Sequence, residues 1–154
     1  MVRKMLLLFC LITVISLSAL SQTVVFINAG SRAAWGNQQQ LLIDAGGNAR
    51  YYLREVNGPV KDSIIFILSA TQLQSFFEKA ETSGFFTLNT SYDGGAVDGA
   101  GIYISLNNSG RKHSVSLVNT DVPAINELIR WLNSLLEPQK IVINYGQFVQ
   151  SKRR

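Results

Sequence analysis

The chain has 154 residues, with 14 basic against 10 acidic, one histidine and one cysteine. That length suits one domain with one core; the lone cysteine excludes an internal disulfide framework, and with a single histidine beside it a zinc centre lacks its usual ligands. The +4 net charge sits at the two ends: without Arg3, Lys4, Lys152, Arg153 and Arg154 the body carries −1, so the basic balance does not describe a nucleic-acid-binding face, which needs basic residues gathered on one surface.

The first segment reads as a secretory signal peptide. Arg3 and Lys4 form its positive start, Met5 to Leu20 an uncharged apolar run, and Ala19 and Ser21 the small residues that place a cut before Gln22. The other reading is an uncleaved anchor, but the run has 16 residues where a spanning helix needs about 20. Cys10 lies inside the run, between Phe9 and Leu11, not after it as a lipidated cysteine would. The expected organisation is therefore 1–21 signal peptide, 22–146 a single domain and 147–154 a loose basic tail. The product is secreted or periplasmic, with no stable membrane span after cleavage. A mature part without cysteine suits bacterial export.

Thr23 to Asn28, Gln38 to Asp44 and Ala49 to Val56 read as strands, the last two joined at Gly46-Gly47-Asn48, where positive φ angles come easily. Ala29 to Asn37 between them is a loop. Asn57-Gly58-Pro59 turns the chain. Ser63 to Leu68, apolar at both parities, reads as a buried central strand. Ser69 and Gln72 then form a capping box, and Leu73, Phe76, Phe77 and Ala80 draw one apolar stripe along a helix that ends at Gly84. Phe85, Phe86 and Leu88 return to the core. Tyr92 to Gly101 carries four glycines and reads as a loop. Ile102 to Leu106 and the segment around Val115 and Leu117 alternate as an antiparallel pair. Asp121 is the expected cap of a second helix with Pro123 in its first turn and Ile125, Leu128, Ile129, Leu132, Leu135 and Leu136 on its inner face. Lys140 to Tyr145 is a last strand or an extended segment. Hairpins without a repeating β-α-β unit predict an α+β fold: an open two-layer sandwich, an antiparallel sheet of about five to seven strands with both helices on one face.

Catalytic parts are scarce. A hydrolytic triad needs a base, and His113 shares strand parity with the buried Val115 and Leu117, where a histidine is more often structural. No serine stands in a G-x-S-x-G elbow. Asp93 and Asp98 lie five apart in a glycine-rich loop beside Tyr92. They are two carboxylates for a calcium ion that takes six to eight oxygens, without the EF-hand pattern, and Asp with Gly also simply makes turns. The same pair is a thin basis for glycoside chemistry. No cofactor motif is present; GSRAAWG lacks the Lys-Ser/Thr ending of a phosphate loop. Arg32 and Trp35 in that loop are residue types enriched at binding hot spots, while Trp35 can equally tuck under the sheet edge. Tyr51, Tyr52 and Arg54 lie on one strand, and if the helices cover one face of the sheet, the other face shows Tyr and Arg to solvent as a protein-binding surface.

The runs LLIDAGGNARYYL, the helix leading into SGFF, and DGAGIYISLNNSGRKHSVSLVNTDVPAINELIRWLNSLL resemble the emfourin-type domain, a family that includes small bacterial inhibitors of thermolysin-like metallopeptidases. They are also similar to related exported bacterial domains of unknown function. The similarity spans roughly residues 23–137 and rests on element order and short runs. It implies an antiparallel sheet with helices and a non-catalytic binding role, with an exported metallopeptidase as partner; no inhibitory residue of the family maps onto this chain. The expected function is an exported, non-catalytic protein-binding module, with peptidase inhibition as its specific form. The alternative is a structural or assembly component of the bacterial envelope. A small hydrolase, built on Asp93, Asp98 and His113, comes last. The candidate binding residues are Arg32, Trp35, Tyr92, Asp93 and Asp98, with no metal and no catalytic set.

Overall fold

Alternation decides the layers. Val25, Ile27 and Ala29 on one strand and Ile102, Ile104 and Leu106 on another are all at most 1 % exposed, while the residues between them point the other way. The computed structural model describes residues 23–31, 36–95 and 99–145. They form seven strands: β1 (Thr23–Ser31), β2 (Asn37–Asp44), β3 (Asn48–Glu55), β4 (Val60–Ile67), β5 (Ser91–Asp93), β6 (Ala100–Asn108) and β7 (Arg111–Val118). Two helices complete the fold: α1 (Ala70–Thr82), between β4 and β5, and α2 (Pro123–Leu136), after β7. The strands build one sheet in the order β4-β3-β2-β1-β6-β7-β5. The helices supply Leu73, Phe76, Ala80, Ile125, Leu128 and Leu132 to one core with the inner side chains of the sheet. This is the α+β two-layer sandwich that the hairpin-rich order predicts. Each fully buried Ile or Leu in it contributes about 1.5–3 kcal/mol.

Local chemistry sets the connections. Gly47 has φ +83°, and a Cβ there would lie 2.2 Å from the Leu68 carbonyl oxygen, so the β2–β3 turn admits only glycine. The Asp44 carboxylate fixes the same turn by accepting the Gly46 and Asn48 amides at 2.8 and 3.0 Å. The capping box at α1 is complete: Ser69 Oγ accepts the Gln72 amide and Gln72 Oε1 accepts the Ser69 amide. Gly84, at φ +79°, takes the left-handed conformation after the helix and sends the chain into a 3-10 turn, Phe85–Thr87, that buries Phe85 and Phe86.

Three expectations change, and one open alternative closes. The sheet is not wholly antiparallel: Tyr92 and Asp93, placed by sequence in a loop, join Ser91 in the short strand β5 (Ser91–Asp93), which pairs parallel to β7. Asp121 does not cap α2. Val122 occupies the cap position with φ −124° and ψ 114°, and no side chain caps it; a residue preceding proline is driven to extended geometry, which fixes the boundary one residue later. Of the two readings of Lys140 to Tyr145, the extended segment holds: Ile141, Ile143 and Tyr145 are buried, and the segment pairs with no strand among the described residues. Side-chain amides serve its backbone instead. Asn133 pairs with both the N–H and the C=O of Ile143, at 2.8 and 3.0 Å, and Gln39 accepts from the Asn144 amide and donates to the Val142 carbonyl. The third change concerns the run SIIFIL. It is not central: β4 is the outermost strand on its side, pairing with β3 alone among the described residues. Ile64 and Phe66 pack on the core, whereas Ile65 and Ile67 are 76 % and 70 % exposed. The signal peptide, the cut before Gln22 and the basic tail 147–154 lie outside the described residues.

Candidate interaction surface

Because both helices pack on one side of the sheet, the other side is bare among the described residues. Strand register lays its side chains out in rows. One row runs Ile65, Arg50, Leu42, Phe26, Ser105, Ser114 across β4, β3, β2, β1, β6 and β7; the next runs Ser63, Tyr52, Gln40, Asn28, Tyr103, Ser116. Apolar and aromatic side chains thus sit diagonally across the middle of an exposed sheet face. Phe26 and Tyr103 meet edge to face with ring centroids 6.0 Å apart, a preferred aromatic geometry. They wall a shallow depression of ≈ 410 Å³ together with Val24, Leu42, Ser105, Asn107 and Lys112.

Cations flank the middle of this face on both sides. Arg50 and Arg54 on β3 and Lys112 on β7 make no ion pair with any described residue. Three other cations are paired: Lys61 with Glu55 at 2.9 Å, Lys79 with Glu127, and Arg111 with Glu81 at 3.0 Å while its guanidinium lies 4.6 Å over Phe86. The hydrogen bond and charge of Lys79 hold the Glu127 carboxyl below its usual range. A protein surface with an apolar strip and flanking carboxylates would complement the bare face.

The residues singled out by sequence fare differently. Arg32, Trp35 and Asp98 lie outside the described residues. Tyr92 is half-buried against the core, and its hydroxyl oxygen accepts the Asn89 amide at 3.0 Å, so it holds the chain into β5. Asp93 is exposed; its Oδ1 accepts the Gly95 amide at 2.8 Å, the hydrogen bond of an Asx turn. His113 donates from Nε2 to the Leu88 carbonyl at 3.0 Å and stacks edge-on against Phe85 with centroids 5.5 Å apart. Among the described residues, no three His, Cys, Asp or Glu side chains converge as a metal would need, and no helix is long and apolar enough to cross a membrane.

Tyr51 and Tyr52 separate as strand alternation requires. Tyr51 is buried, its hydroxyl accepting from Gln39 Nε2 at 2.9 Å, whereas Tyr52 lies on the open face with Arg54. The sequence pointed to Tyr52 and Arg54 but missed Phe26, Leu42, Arg50 and Tyr103. Each of them alternates with buried residues on a strand of ordinary composition, and only the position of the helices shows that the second face stays open. A further groove of ≈ 620 Å³ runs between α1 and the β6–β7 hairpin, with Leu73 and Phe77 in its floor and Glu78 and Glu81 on its rim.

No family model, curated protein or solved structure matches the chain.

Proposed function

We propose that the chain is an exported protein-binding module, without chemistry of its own, that works through the bare face of its sheet. One observation carries the reading: Phe26, Leu42, Tyr52 and Tyr103 share a solvent-facing surface with the unpaired Arg50 and Arg54. Aromatics and arginine are the residue types from which interface hot spots are built. The non-catalytic part of the proposal is supported by how the candidate groups are spent: His113 on Leu88, Tyr92 on Asn89 and Asp93 on Gly95. The resemblance to emfourin-type domains supplies the first partner class to try, an exported metallopeptidase, and makes peptidase inhibition the specific form of the proposal.

The test is capture from the exported proteins of the source by the tagged chain, in its natural form and as the double variant Tyr103→Glu with Arg50→Glu. Both side chains are exposed, so the variant is expected to fold. A partner retained by the natural chain should be lost from the variant, with an affinity drop of about 30-fold or more if either position is a hot spot worth about 2 kcal/mol. If a metallopeptidase is retained, inhibition titrates one to one. Equal retention by both forms contradicts the proposal, and an envelope assembly retained by both supports the structural reading instead.

A further inference from the structure

The β4 edge carries backbone groups that no described residue satisfies, and their pattern is specific. The Leu68 amide donates to the Gly47 carbonyl at 2.9 Å, in register with Asn48 opposite Ile67 and Ala49 opposite Phe66. In an antiparallel ladder the residues that exchange hydrogen bonds alternate with residues whose N–H and C=O point away. Ile64, Phe66 and Leu68 therefore face β3, while Ser63, Ile65 and Ile67 present their backbone to the open edge. The first half of that edge is blocked. A register shift interrupts the ladder between Leu53 and Arg54, Lys61 and Asp62 place charge beside it, and the Asp62 carboxylate takes up the Ser63 amide at 2.8 Å. Charges and bulges are how proteins stop strands from adding to an edge. The second half, Ile65 to Ile67, has no such device.

We infer that this half-edge pairs with the same half-edge of a second copy of the chain, giving a two-fold dimer centred on Phe66. The occupant is argued from self-complementarity, which a two-fold contact requires. Ile65 and Ile67 are the residues whose amide and carbonyl are both open on this edge, and antiparallel pairing that uses both sets Ile65 opposite Ile67 of the second copy, and Ile67 opposite its Ile65. That makes four backbone hydrogen bonds. It sets the four isoleucines side by side on the bare face, and brings Phe66 opposite Phe66 and Ile64 opposite Leu68 on the core side. Lys61 falls beyond the pairing and Asp62 opposite Ala70, so no like charges meet. Pairing covers the two most exposed large apolar side chains of the described residues and joins two sheets edge to edge.

The inference does not rest on the binding function proposed above, and the experiment separates them. Sedimentation velocity of the purified chain at micromolar concentration should give a dimer. The double variant Ile65→Lys with Ile67→Lys alters exposed side chains only, and should sediment as a monomer that keeps the native circular dichroism spectrum and a cooperative melt, its midpoint lowered by no more than the lost association accounts for. Hydrogen exchange at the Ile65 and Ile67 amides should be slowed in the natural chain and fast in the variant. Tyr103→Glu should leave the dimer intact, whatever it does to capture of a partner. A natural chain that is monomeric, a lysine variant that remains dimeric, or unprotected Ile65 and Ile67 amides in a dimer would each overturn the inference.

Discussion

The two faces of the sheet come from the same strands and end in opposite surroundings. Ile104 on β6 is fully buried under the helices, and its neighbour Tyr103 is 39 % exposed on the other side. On β1, Ile27 belongs to the core and Phe26 to the open face. The inner side is filled mostly by branched aliphatic residues and phenylalanine, and the buried Tyr51 of β3 takes a hydrogen bond from Gln39. The outer side mixes aromatics with arginine and short polar residues, which suits a surface that stays soluble yet has something to bury. An apolar residue is therefore not core by its type. Its strand parity, and the side the helices take, decide whether it stabilises the fold or remains available to a partner.

Substitutions can break that contrast or sharpen it. Ile104→Ala should lose about 2–5 kcal/mol in chemical denaturation, through lost burial and the cavity left under the helices; a loss below 1 kcal/mol would mean that the inner face is loosely packed. Asn133→Ala removes both side-chain partners of the Ile143 backbone. With two buried groups stranded, we expect a loss of about 1–3 kcal/mol and local exchange of the Ile143 amide before global unfolding. The same segment gives a pH effect. Burial, with the nearby Asp121 charge second, pushes the Tyr145 phenol above its ordinary value, and its hydroxyl donates to Asn126. The fold holds the neutral phenol, so this contribution is complete below about pH 10, the unfolded value, and drains as pH rises through the folded one. Tyr145→Phe should flatten the alkaline fall in stability followed by circular dichroism. Tyr103→Ser should cost the least, within about 0.5–1 kcal/mol for an exposed position with one aromatic contact, while removing most of the partner binding proposed for this face.

Much of the inner layer was readable in advance. The capping box at Ser69, the stripe Leu73–Phe76–Ala80 and the Gly47 turn are local signals, and each follows from steric or hydrogen-bonding rules that neighbours in sequence satisfy. What failed depends on distant partners. Ser91–Asp93 became a strand because β7 offers it an edge, and three residues carry too little pattern to announce that. Asp121 looked like a cap because its type caps helices, but Pro123 forced Val122 into the position. The run SIIFIL read as central because both faces are apolar. Its true place at the rim leaves Ile65 and Ile67 in solvent, and the disagreement between composition and position is what marks the edge for pairing. Of the candidate site, only Tyr52 and Arg54 of β3 were visible; Arg50, Phe26 and Tyr103 needed the register that puts them on one face.

The bare face as a protein interface is tested most directly by labelling it in place. Hydroxyl-radical footprinting of the chain should be run twice, alone in buffer and within the exported-protein fraction of its source, with Tyr52, Phe26 and Tyr103 read by mass spectrometry. Reduced labelling of these three in the fraction, with Trp131 on the exposed side of α2 labelled equally in both, is the predicted result. Equal labelling of all four residues in both conditions would contradict the claim that this face is covered by a partner.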